Sequence, residues 1–543
     1  MPFVMETRVV PFIALLAVVF ACLFNWPIWL HLYGILSQLE RVKTGFVISL
    51  PILLVAALNF VFVPFSIRYL LKPFFALLFV ISAIASYTML KYGVQFDQTM
   101  IQNVFETNQS EALAYVSTPI VAWVTVTGIL PAIGLFFIKI NYANRWYKGL
   151  LARALSMLVS LAIVTAIAAL YYQDYVSVGR NNSSLKREIV PANVVNSTTK
   201  FIYKRFLVEP IPFTTLGNDA RRTASSAKPT LMFLVLGEAA RSKNYSMNGY
   251  ARETNPFTSK AGGVISFRQM RSCGTATAVS VPCMFSNMGR EEFDGNLARN
   301  SEGLLDVLQK AGISIYWKDN NSNCKGVCDR VPNIQIQPTT NPTLCKGGTC
   351  YDEVLLQGLD DEVAKMKGDK MLAFHLLGSH GPTYYKRYPS EQRKFVPDCP
   401  RSDIENCTTE QLVNTYDNTI RYADLVVARL IARLKQYEEK YNTALIYLSD
   451  HGQSLGEMGL YLHSAPYRIA PDEQTRIPMQ IWMSPGFIKE KKLNIRRLQK
   501  NANATPYSHD NLFSSMLGIW DVKTTVYDKR LDIFSPCRTT QAP

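Results

Sequence analysis

Long apolar stretches dominate the first third of the chain, and short apolar runs separated by polar segments dominate the rest. A helix needs roughly 20 apolar residues to cross a bilayer. Five stretches meet that length, so we expect five membrane-spanning helices. The first stretch is too long for the core of a signal peptide, which predicts an uncleaved anchor. The five stretches are Val9–Leu30, Gly45–Pro64, Leu70–Met89, Ile120–Ile138 and Leu150–Tyr171.

The basic residues in the loops predict the orientation of these spans. One side of the membrane has only Arg41, Lys43 and Lys91. By the positive-inside rule the richer side, which includes the N-terminus, is cytoplasmic. Five spans then place everything after residue 173 on the far side of the membrane. The basic residues of the cytoplasmic side are Arg8, Arg68, Lys72, Lys139, Arg145, Lys148 and Arg153.

Beyond Lys228, apolar runs of strand length alternate with helical patterns, which predicts an α/β domain with a mostly parallel sheet flanked by helices. We expect a transmembrane domain over residues 1–173, a linker with interfacial helices over 174–227 and the α/β domain over 228–543. The strand candidates are Leu231–Leu236, Val264–Phe267, Ile313–Trp317, Leu372–Leu377, Leu445–Leu448 and Met479–Trp482. The helix candidates include Glu302–Lys310, Asp352–Lys367 and Thr409–Tyr437.

Cysteine spacing indicates an oxidising compartment. Cys22 lies in the first span and Cys537 near the end of the chain, whereas the other eight cysteines fall in close pairs. Spacing leaves their connectivity open, with neighbour pairing as the simplest arrangement. Zinc binding is the alternative to disulfides, but no histidine stands at ligand spacing beside Cys324 or Cys345. Disulfides, together with the topology, indicate a bacterial periplasm or an equivalent exterior. The pairs are Cys273/Cys283, Cys324/Cys328, Cys345/Cys350 and Cys399/Cys407.

The charge balance and one polar stripe suggest contact with a lipid surface. The net charge is +15, which serves either ordinary solubility or attraction to an anionic membrane or a phosphorylated lipid. Between the third and fourth spans, Asn103, Thr107 and Glu111 recur every four residues and share one helix face. This face could hydrogen-bond a lipid headgroup, although the spacing fits a solvated face equally well.

The candidate metal-binding and catalytic residues follow the ends of apolar runs. Asp450-His451-Gly452 follows one run, and Gly237-Glu238 follows another. A third segment, residues 273–278, offers hydroxyls at a predicted helix start. Open α/β sheets place ligand sites beyond the carboxyl ends of their strands. A carboxylate pair, a histidine and a hydroxyl therefore predict a zinc site with an activated nucleophile.

The order and spacing of five motifs resemble one known family across essentially the whole chain. The motifs are Gly237-Glu238, residues 272–286 (SCGTATAVSVPCMFS), residues 378–385 (GSHGPTYY), residues 414–419 (NTYDNT) and Ser449-Asp450-His451-Gly452. They closely resemble the lipid A phosphoethanolamine transferases, including the mobile colistin-resistance enzymes, in the alkaline phosphatase superfamily.

The resemblance implies a zinc-dependent enzyme in which Glu238, Thr277, Asp450 and His451 hold one tightly bound zinc ion. It also implies that Thr277, rather than Thr275, is the nucleophile. Taken alone, Thr277 would more often be a helix N-cap. The same resemblance places His380 and His463 near the transferred group, where they could protonate the leaving oxygen, deprotonate the acceptor or hold a second metal.

Further substrate contacts are implied by the resemblance. Lys325 matches a residue that contacts the substrate phosphate, and four others match positions around the ethanolamine headgroup. Gln453 departs from the family pattern, which usually has Glu there. The headgroup positions are Asn103, Thr107, Glu111 and Ser322. We expect structural roles for His375 and His509, and an interfacial position for His31.

The resemblance implies transfer of phosphoethanolamine from phosphatidylethanolamine to a lipid A phosphate through a phosphoethanolamine-threonine intermediate. Diacylglycerol is released, and polymyxin and other cationic peptides bind the cell less well. The expected setting is the bacterial inner membrane, with its lipids as partners, the catalytic domain in the periplasm, no nucleic acid and a monomeric state.

Three alternatives compete with this interpretation. A sulfatase generally needs a C-x-P-x-R motif, which neither Cys273 nor Cys283 opens. A phosphoethanolamine or phosphoglycerol transferase for another envelope acceptor, such as a core sugar, glycan or protein, stays open. A membrane-anchored zinc-binding protein without activity would not need Thr277 beside the ligands.

Overall fold

The computed structural model describes residues 6–37, 42–107, 113, 116–181, 184–207, 211–223, 228–339, 341–401, 404 and 407–539. The chain forms two compact units. The first comprises Met1–Ile101 and Val116–Tyr203, and the second comprises Gln102–Tyr115 and Lys204–Pro543. One division thus falls inside the predicted linker, and a segment between the third and fourth spans groups with the second unit. Glu111 lies outside the described residues.

Four helical segments of the first unit are long and apolar enough to cross a membrane, and a bent helix pair brings the number to five if it counts as one span. The segments are Thr44–Phe65, Leu71–Tyr92, Thr118–Phe137 and Trp146–Tyr171. The helices of this part of the chain are α1 (Val9–Val19, continued by a π-helical turn, Phe20–Phe24), α2 (Trp26–Leu36), α3 (Thr44–Phe62), α4 (Leu71–Tyr92), α5 (Gln98–Glu106), α6 (Thr118–Val124), α7 (Leu130–Phe137), α8 (Trp146–Asn181) and α9 (Ala192–Ile202).

The predicted first span is bent rather than straight. Val9–Phe24 and Trp26–Leu36 meet at an angle of 61°. Between them lies Asn25, which is fully buried. Its side-chain amide donates to the carbonyls of Phe20 (2.9 Å) and Val190 (2.7 Å), and its oxygen accepts from the Val190 amide (2.9 Å). The bend follows because this buried amide takes its partners from the backbone of a distant segment.

An eight-stranded sheet forms the centre of the second unit, in the order β8-β2-β7-β6-β1-β5-β3-β4. Strand β7 runs antiparallel to both of its neighbours, and every other pairing is parallel. The mostly parallel sheet flanked by helices is therefore confirmed. The strands are β1 (Thr230–Gly237), β2 (Ile265–Arg271), β3 (Ser314–Asp319), β4 (Asn333–Gln335), β5 (Lys370–His375), β6 (Asn442–Ser449), β7 (Arg476–Met483) and β8 (Tyr507–Ser508).

Short strands lie outside this sheet, at Glu6–Arg8 paired with Lys139–Asn141, Arg221–Arg222 with Val522–Lys523, Cys345–Lys346 with Thr349–Cys350, and Ser454–Leu455 with Tyr461–Leu462. The helices of the second unit after residue 230 are α10 (Pro256–Ala261), α11 (Thr277–Met284), α12 (Gly295–Arg299), α13 (Leu304–Lys310), α14 (Leu359–Lys365), α15 (Thr409–Gln436), α16 (Asp472–Thr475), α17 (Pro485–Glu490), α18 (Ile495–Ala504) and α19 (Asp510–Ile519).

All six predicted strands are present, and the longest predicted helix is α15. One predicted helix, Asp352–Lys367, is wrong as a single element. It divides into a 3₁₀ turn, Asp352–Leu356, and α14. Gly358 separates the two with a φ of +72°, a left-handed conformation that favours glycine and interrupts a continuous helix.

The eight paired cysteines form four disulfides between sequence neighbours, and Cys22 and Cys537 are free. The bridge that includes Cys273 joins the loop before α11 to the end of that helix. The bridge that includes Cys324 closes the loop that carries Lys325. Two disulfides thus constrain loops that contain predicted site residues. The four bridges are Cys273–Cys283, Cys324–Cys328, Cys345–Cys350 and Cys399–Cys407.

The sequence spacing does not distinguish the four cysteine pairs, but in the structure Cys407 differs in burial from the other paired cysteines. This cysteine is only half-buried, whereas its partner Cys399 and the six cysteines of the other bridges are buried. The Cys407 amide donates to the Ile404 carbonyl (3.1 Å), which places it in a turn just before α15. The fourth bridge therefore ties a surface turn to the interior and, unlike the first two, encloses none of the predicted metal, nucleophile or substrate residues.

Helix α15 supports the segment that follows β1. The Tyr416 hydroxyl donates to the Ala239 carbonyl (2.7 Å) and accepts from the Arg241 amide (3.0 Å). The helix begins with a capping box, because Thr408 Oγ1 accepts from the Gln411 amide (3.2 Å) and Gln411 Oε1 accepts from the Thr408 amide (3.0 Å). These bonds satisfy amides that a helix start leaves unpaired.

Thr408→Ala should therefore lower the free energy of unfolding by about 1 kcal/mol, because the cap hydroxyl is lost. Thr408→Ser keeps the hydroxyl and should stay near the wild type. Denaturant unfolding of the full-length protein in detergent, followed by tryptophan fluorescence, measures both values. Equal midpoints for the alanine variant and the wild type would contradict this role for the cap.

Candidate active site

Two neighbouring parallel strands bring the predicted acidic residues to one edge of the sheet. Strands β1 and β6 are paired so that Gly237 lies opposite Ser449. The residues that follow them, Glu238 and Asp450, therefore leave the sheet side by side. The Asp450 amide donates to the Gly237 carbonyl (2.9 Å), which continues the strand pairing by one bond.

Each carboxylate uses one oxygen for hydrogen bonds and leaves the other without a hydrogen bond. Glu238 Oε2 accepts from the Thr277 hydroxyl (2.9 Å) and the Asn321 amide group (2.8 Å). Asp450 Oδ1 accepts from the backbone amides of Ala239 (3.0 Å) and His451 (2.6 Å). Glu238 Oε1 and Asp450 Oδ2 are buried and have no hydrogen bond. Such an arrangement is costly unless a cation binds the two free oxygens.

His451 completes the cluster. Its Nδ1–H donates to the Gly452 carbonyl (2.8 Å), which directs Nε2 toward the carboxylates. Nε2 lies 3.2 Å from Glu238 Oε1 and 3.4 Å from Asp450 Oδ2. One ligand atom from each of the three residues lies within 4.8 Å of the others. Carboxylate oxygens and an imidazole nitrogen are ligands that zinc accepts, so this donor set fits the ion.

The electrostatics of the cluster also indicate a need for positive charge. Burial and the Glu238 carboxylate raise the pKa of Asp450 to about 6. Burial opposes a charged imidazole, but the Asp450 and Glu238 carboxylates outweigh it and raise the pKa of His451 to about 9. Burial would also raise the pKa of Glu238, yet the positive charge of His451 holds it well below its ordinary value. Two fully buried carboxylates thus stabilise positive charge beside them.

Thr277 is the first residue of α11, after Ala276 in an extended conformation. Besides its bond to Glu238, Thr277 Oγ1 lies 3.3 Å from His451 Nε2. Thr275 is not part of the cluster, since its hydroxyl donates to the Ala465 carbonyl (2.6 Å). The structure therefore brings together the four residues of the predicted metal and nucleophile set.

His380 and His463 lie beside this cluster. The ring centroids of His463 and His451 are 4.5 Å apart, and those of His463 and His380 are 5.8 Å apart. His463 Nδ1–H donates to Gln453 Oε1 (3.1 Å), and Gln453 Nε2 donates to the Tyr384 hydroxyl (2.6 Å). The glutamine that departs from the family pattern thus sets the tautomer of His463 and leaves its Nε2 unprotonated, as a proton acceptor.

The predicted headgroup residues lie on two segments near the histidines. Lys325 Nζ lies 3.1 Å from Ser322 Oγ, in the loop closed by Cys324–Cys328. Asn103 Nδ2 donates to the Ser464 hydroxyl (3.1 Å), next to His463. Thr107 donates back to the Asn103 carbonyl (2.5 Å), so its hydroxyl caps the end of α5.

A network that the sequence analysis did not identify supports Glu238. Asn321 donates to Glu238 and to the Leu376 carbonyl (3.0 Å), and its amide nitrogen lies 3.3 Å from His375 Nε2. His375 Nδ1–H donates to Asp319 Oδ2 (2.9 Å), whose Oδ1 accepts from the Asn321 backbone amide (2.8 Å). Asp319 ends β3 and His375 ends β5, so the rule that ligand sites lie at strand ends would have indicated both.

The arrangement suits nucleophilic substitution at an electrophilic centre. A hydroxyl at a helix start points at buried acceptors, and histidines lie within ring contact of them. The backbone amides at the start of α11 favour negative charge there.

Comparison with known proteins identifies the family. Residues 54–206 match the family model "Phosphoethanolamine transferase EptA/EptB", and residues 230–522 match the model "Sulfatase". Phosphoethanolamine transferase EptA of Escherichia coli K12 is 42% identical over 90% of this chain and 90% of its own length. Phosphatidylethanolamine transferase Mcr-2 of Escherichia coli is 36% identical over 88% of this chain and 89% of its own.

A solved structure agrees over nearly the whole length. The integral membrane lipooligosaccharide phosphoethanolamine transferase A of Neisseria meningitidis has a TM-score of 0.95 at 36% identity, and the match covers 99% of this chain and 100% of that one. The expected location, a multi-pass protein of the bacterial inner membrane with its catalytic unit in the periplasm, is confirmed. Its relatives and its fold together show that the chain belongs to the phosphoethanolamine transferase family.

Proposed function

We propose that this enzyme transfers phosphoethanolamine from phosphatidylethanolamine to a lipid A phosphate in two displacements, with Thr277 as the nucleophile. The observation that carries the proposal is the Thr277 hydroxyl, which contacts Glu238 and His451 at the start of α11. Family membership supports phosphoethanolamine as the transferred group, because the relatives are named for that activity.

In the first displacement, Thr277 Oγ1 attacks the phosphorus of phosphatidylethanolamine. The Oγ1–P bond forms and the bond from phosphorus to the diacylglycerol oxygen breaks. The Thr277 proton leaves along the 2.9 Å hydrogen bond to Glu238 Oε2. A Zn²⁺ ion held by Glu238, Asp450 and His451 would lower the pKa of the threonine hydroxyl and offset the charge of the phosphate.

The leaving diacylglycerol oxygen needs a proton. His463 has its proton on Nδ1, bonded to Gln453, so its Nε2 accepts a proton rather than supplying one. We assign protonation of the leaving oxygen to His380, whose ring centroid lies 5.8 Å from that of His463. Proton donation at this point avoids the release of an alkoxide.

In the second displacement, an oxygen of the lipid A phosphate attacks the phosphoethanolamine-threonine. The new P–O bond forms, the Oγ1–P bond breaks and Thr277 recovers its proton from Glu238 Oε2. The proton of the attacking phosphate oxygen passes to His463 Nε2 and from there restores His380, so that the protons balance over the two displacements. We assign Lys325 and the amides at the start of α11 to the anionic substrate oxygens, because a cation and unpaired amides both favour phosphate. Splitting one transfer into two easier displacements is the usual gain of covalent catalysis.

The nucleophile is tested by intact mass. Wild-type protein incubated with phosphatidylethanolamine should gain one phosphoethanolamine group, and Thr277→Ala should gain none because the attacking oxygen is gone. Thr275→Ala removes a neighbouring hydroxyl that faces Ala465 and should still form the adduct. Turnover by the Thr277→Ala protein would refute the assignment.

The metal site is tested by zinc content. Asp450→Asn and His451→Ala should each weaken zinc binding by roughly 100-fold or more, because loss of a direct ligand should exceed the 10–100-fold cost of losing an outer partner. Activity should fall in parallel. Asp472→Asn, which changes a largely exposed carboxylate at another site, should bind zinc normally. Metal analysis after dialysis provides the measurement, and full zinc in the His451→Ala protein would show that the ligand set is wrong.

The acceptor is tested in cells. Expression in a polymyxin-sensitive host should add one or two phosphoethanolamine groups to lipid A and raise polymyxin tolerance, because added ammonium groups reduce the negative charge of the surface. The Thr277→Ala protein should do neither. Mass spectrometry of lipid A and growth in polymyxin measure the two effects. Labelled ethanolamine found only on core sugar, glycan or protein would support the alternative acceptor and leave the enzyme class unchanged.

A further inference from the structure

One buried histidine outside the cluster connects the two segments that build it. His509 precedes α19 and is almost completely buried. Its Nδ1 accepts a hydrogen bond from the Cys273 backbone amide (3.0 Å). Its Nε2–H donates to the Ser449 carbonyl (2.9 Å). Cys273 begins the loop that leads to Thr277, and Ser449 directly precedes Asp450 and His451.

These two bonds determine the tautomer of the ring. A backbone amide can only donate, so Nδ1 must accept and the proton must be on Nε2. Burial, together with the nearby charge of His451, lowers the pKa of His509 to about 3, which agrees with a neutral ring. The opposite tautomer occurs at His463, whose Nδ1–H donates to Gln453.

Few other contacts join the segment of Cys273 and Thr277 to the segment of Ser449, Asp450 and His451. Between residues 272–277 and 449–451, all of which the structure describes, the other direct hydrogen-bond contact is the one at the reaction centre, from Thr277 Oγ1 to His451 Nε2 (3.3 Å). The loop is otherwise fixed to different segments, for example by the Tyr467 hydroxyl, which donates to the Ser272 carbonyl (2.8 Å). A second, indirect link runs through residues 474–475, where the Thr475 carbonyl accepts from the Ser272 amide (2.8 Å) and the Gln474 carbonyl accepts from the Gly452 amide (2.9 Å). The His509 ring is the link that bonds both segments through one rigid side chain, and it touches neither Thr277 nor the ligand side chains.

Only a histidine can make both bonds from this position. The acceptor, Nδ1, is bonded to Cγ, and the donor, Nε2–H, lies on the far side of the same rigid ring. Asparagine offers its polar atoms at the near position and glutamine at the far one, so each can replace one half of the bridge. A displacement of about 1 Å at a reacting group can cost roughly 100-fold in rate.

We propose that His509 is a positioning residue of the transfer reaction, whose ring fixes the distance between Thr277 and the Asp450–His451 ligand pair. This inference rests on the proposed function, which assigns the nucleophile and the ligands. The half of the bridge to Ser449 holds the ligand segment, and the half to Cys273 holds the nucleophile loop.

The test separates the two halves with His509→Gln and His509→Asn in the full-length protein. His509→Gln keeps the donor to the Ser449 carbonyl, so the zinc affinity should stay within about twofold of the wild type. It loses the acceptor for the Cys273 amide, so adduct formation on Thr277 at saturating zinc should slow by about 10–100-fold. Asn keeps the acceptor for Cys273, so zinc should bind about 10-fold more weakly. Competition with a chelator measures zinc affinity, and single-turnover intact mass measures the adduct. In both variants kcat for phosphatidylethanolamine should fall while KM changes little.

Asn511→Ala is the matched control. Its side chain joins the Ser508 amide (2.9 Å) to the Leu531 carbonyl (2.9 Å) at the same helix start, without a bond to either site segment. The Asn511→Ala protein should be less stable than the wild type, but its zinc affinity and its rate of adduct formation should be unchanged. If both His509 variants behaved as this control does, or if Gln and Asn lost zinc equally, the positioning role would be overturned.

A measurement on the wild type keeps the proposal testable if the variants fail to fold. The chain has 6 histidines, and ¹⁵N-histidine spectra of the protein in micelles should contain a ring with a solvent-protected Nε2–H and an unprotonated Nδ1. Absence of that tautomer would overturn the bridge. Failure of the proposed function is distinguished by the wild type itself, which would then form no adduct on Thr277.

Discussion

Two buried carboxylates held side by side are the constraint on which the catalytic unit depends. Glu238 and Asp450 are fully buried at the ends of adjacent strands. Burial of a charge costs several kcal/mol unless an opposite charge and hydrogen bonds compensate. One oxygen of each carboxylate is satisfied by the protein, and the other is left for a cation. A site of this kind attracts a metal ion, whose positive charge would in turn stabilise an anionic phosphoryl group.

The surrounding polar residues hold this arrangement in one geometry. Asn321 orients Glu238 and is itself positioned by Asp319 and His375. Tyr416 fixes the segment after Glu238 from the opposite direction. Because these groups are buried and bonded to one another, rotation of any one side chain would leave others unsatisfied. The network therefore favours a single orientation of the Glu238 carboxylate.

A segment from between the third and fourth membrane spans is part of the catalytic unit. Asn103 bonds Ser464 beside His463, and Glu106 pairs with Arg299 at 2.8 Å. Gln102 Nε2 also donates to Glu106 (3.2 Å). The polar stripe expected to face a lipid headgroup thus includes one side chain, Asn103, that bonds Ser464 of the catalytic unit. Glu106, which lies outside the predicted four-residue spacing, provides the charged contact.

The sequence alone was sufficient for the spans, the sheet class and the main chemical groups. Apolar length predicts membrane helices, and acidic residues after buried runs predict a site at a strand edge, since both signals are local. Glu238, Asp450 and His451 were found in this way, and the family motifs added Thr277. Tertiary structure decided the features that depend on distant partners. Asn25, for example, meets the backbone of Val190 at the bend of the first span.

His509 is the clearest case of a residue whose contacts could not be predicted from the sequence. Its partners are 236 and 60 residues away in sequence, and its local pattern is that of an ordinary residue before a helix. The pattern of apolar and polar positions encodes which side chains are buried. It does not encode which buried donors and acceptors meet, because that depends on how the strands and loops pack. The composition of the reaction centre was therefore accessible from the sequence, whereas the bonds that set its distances were decided only by the fold.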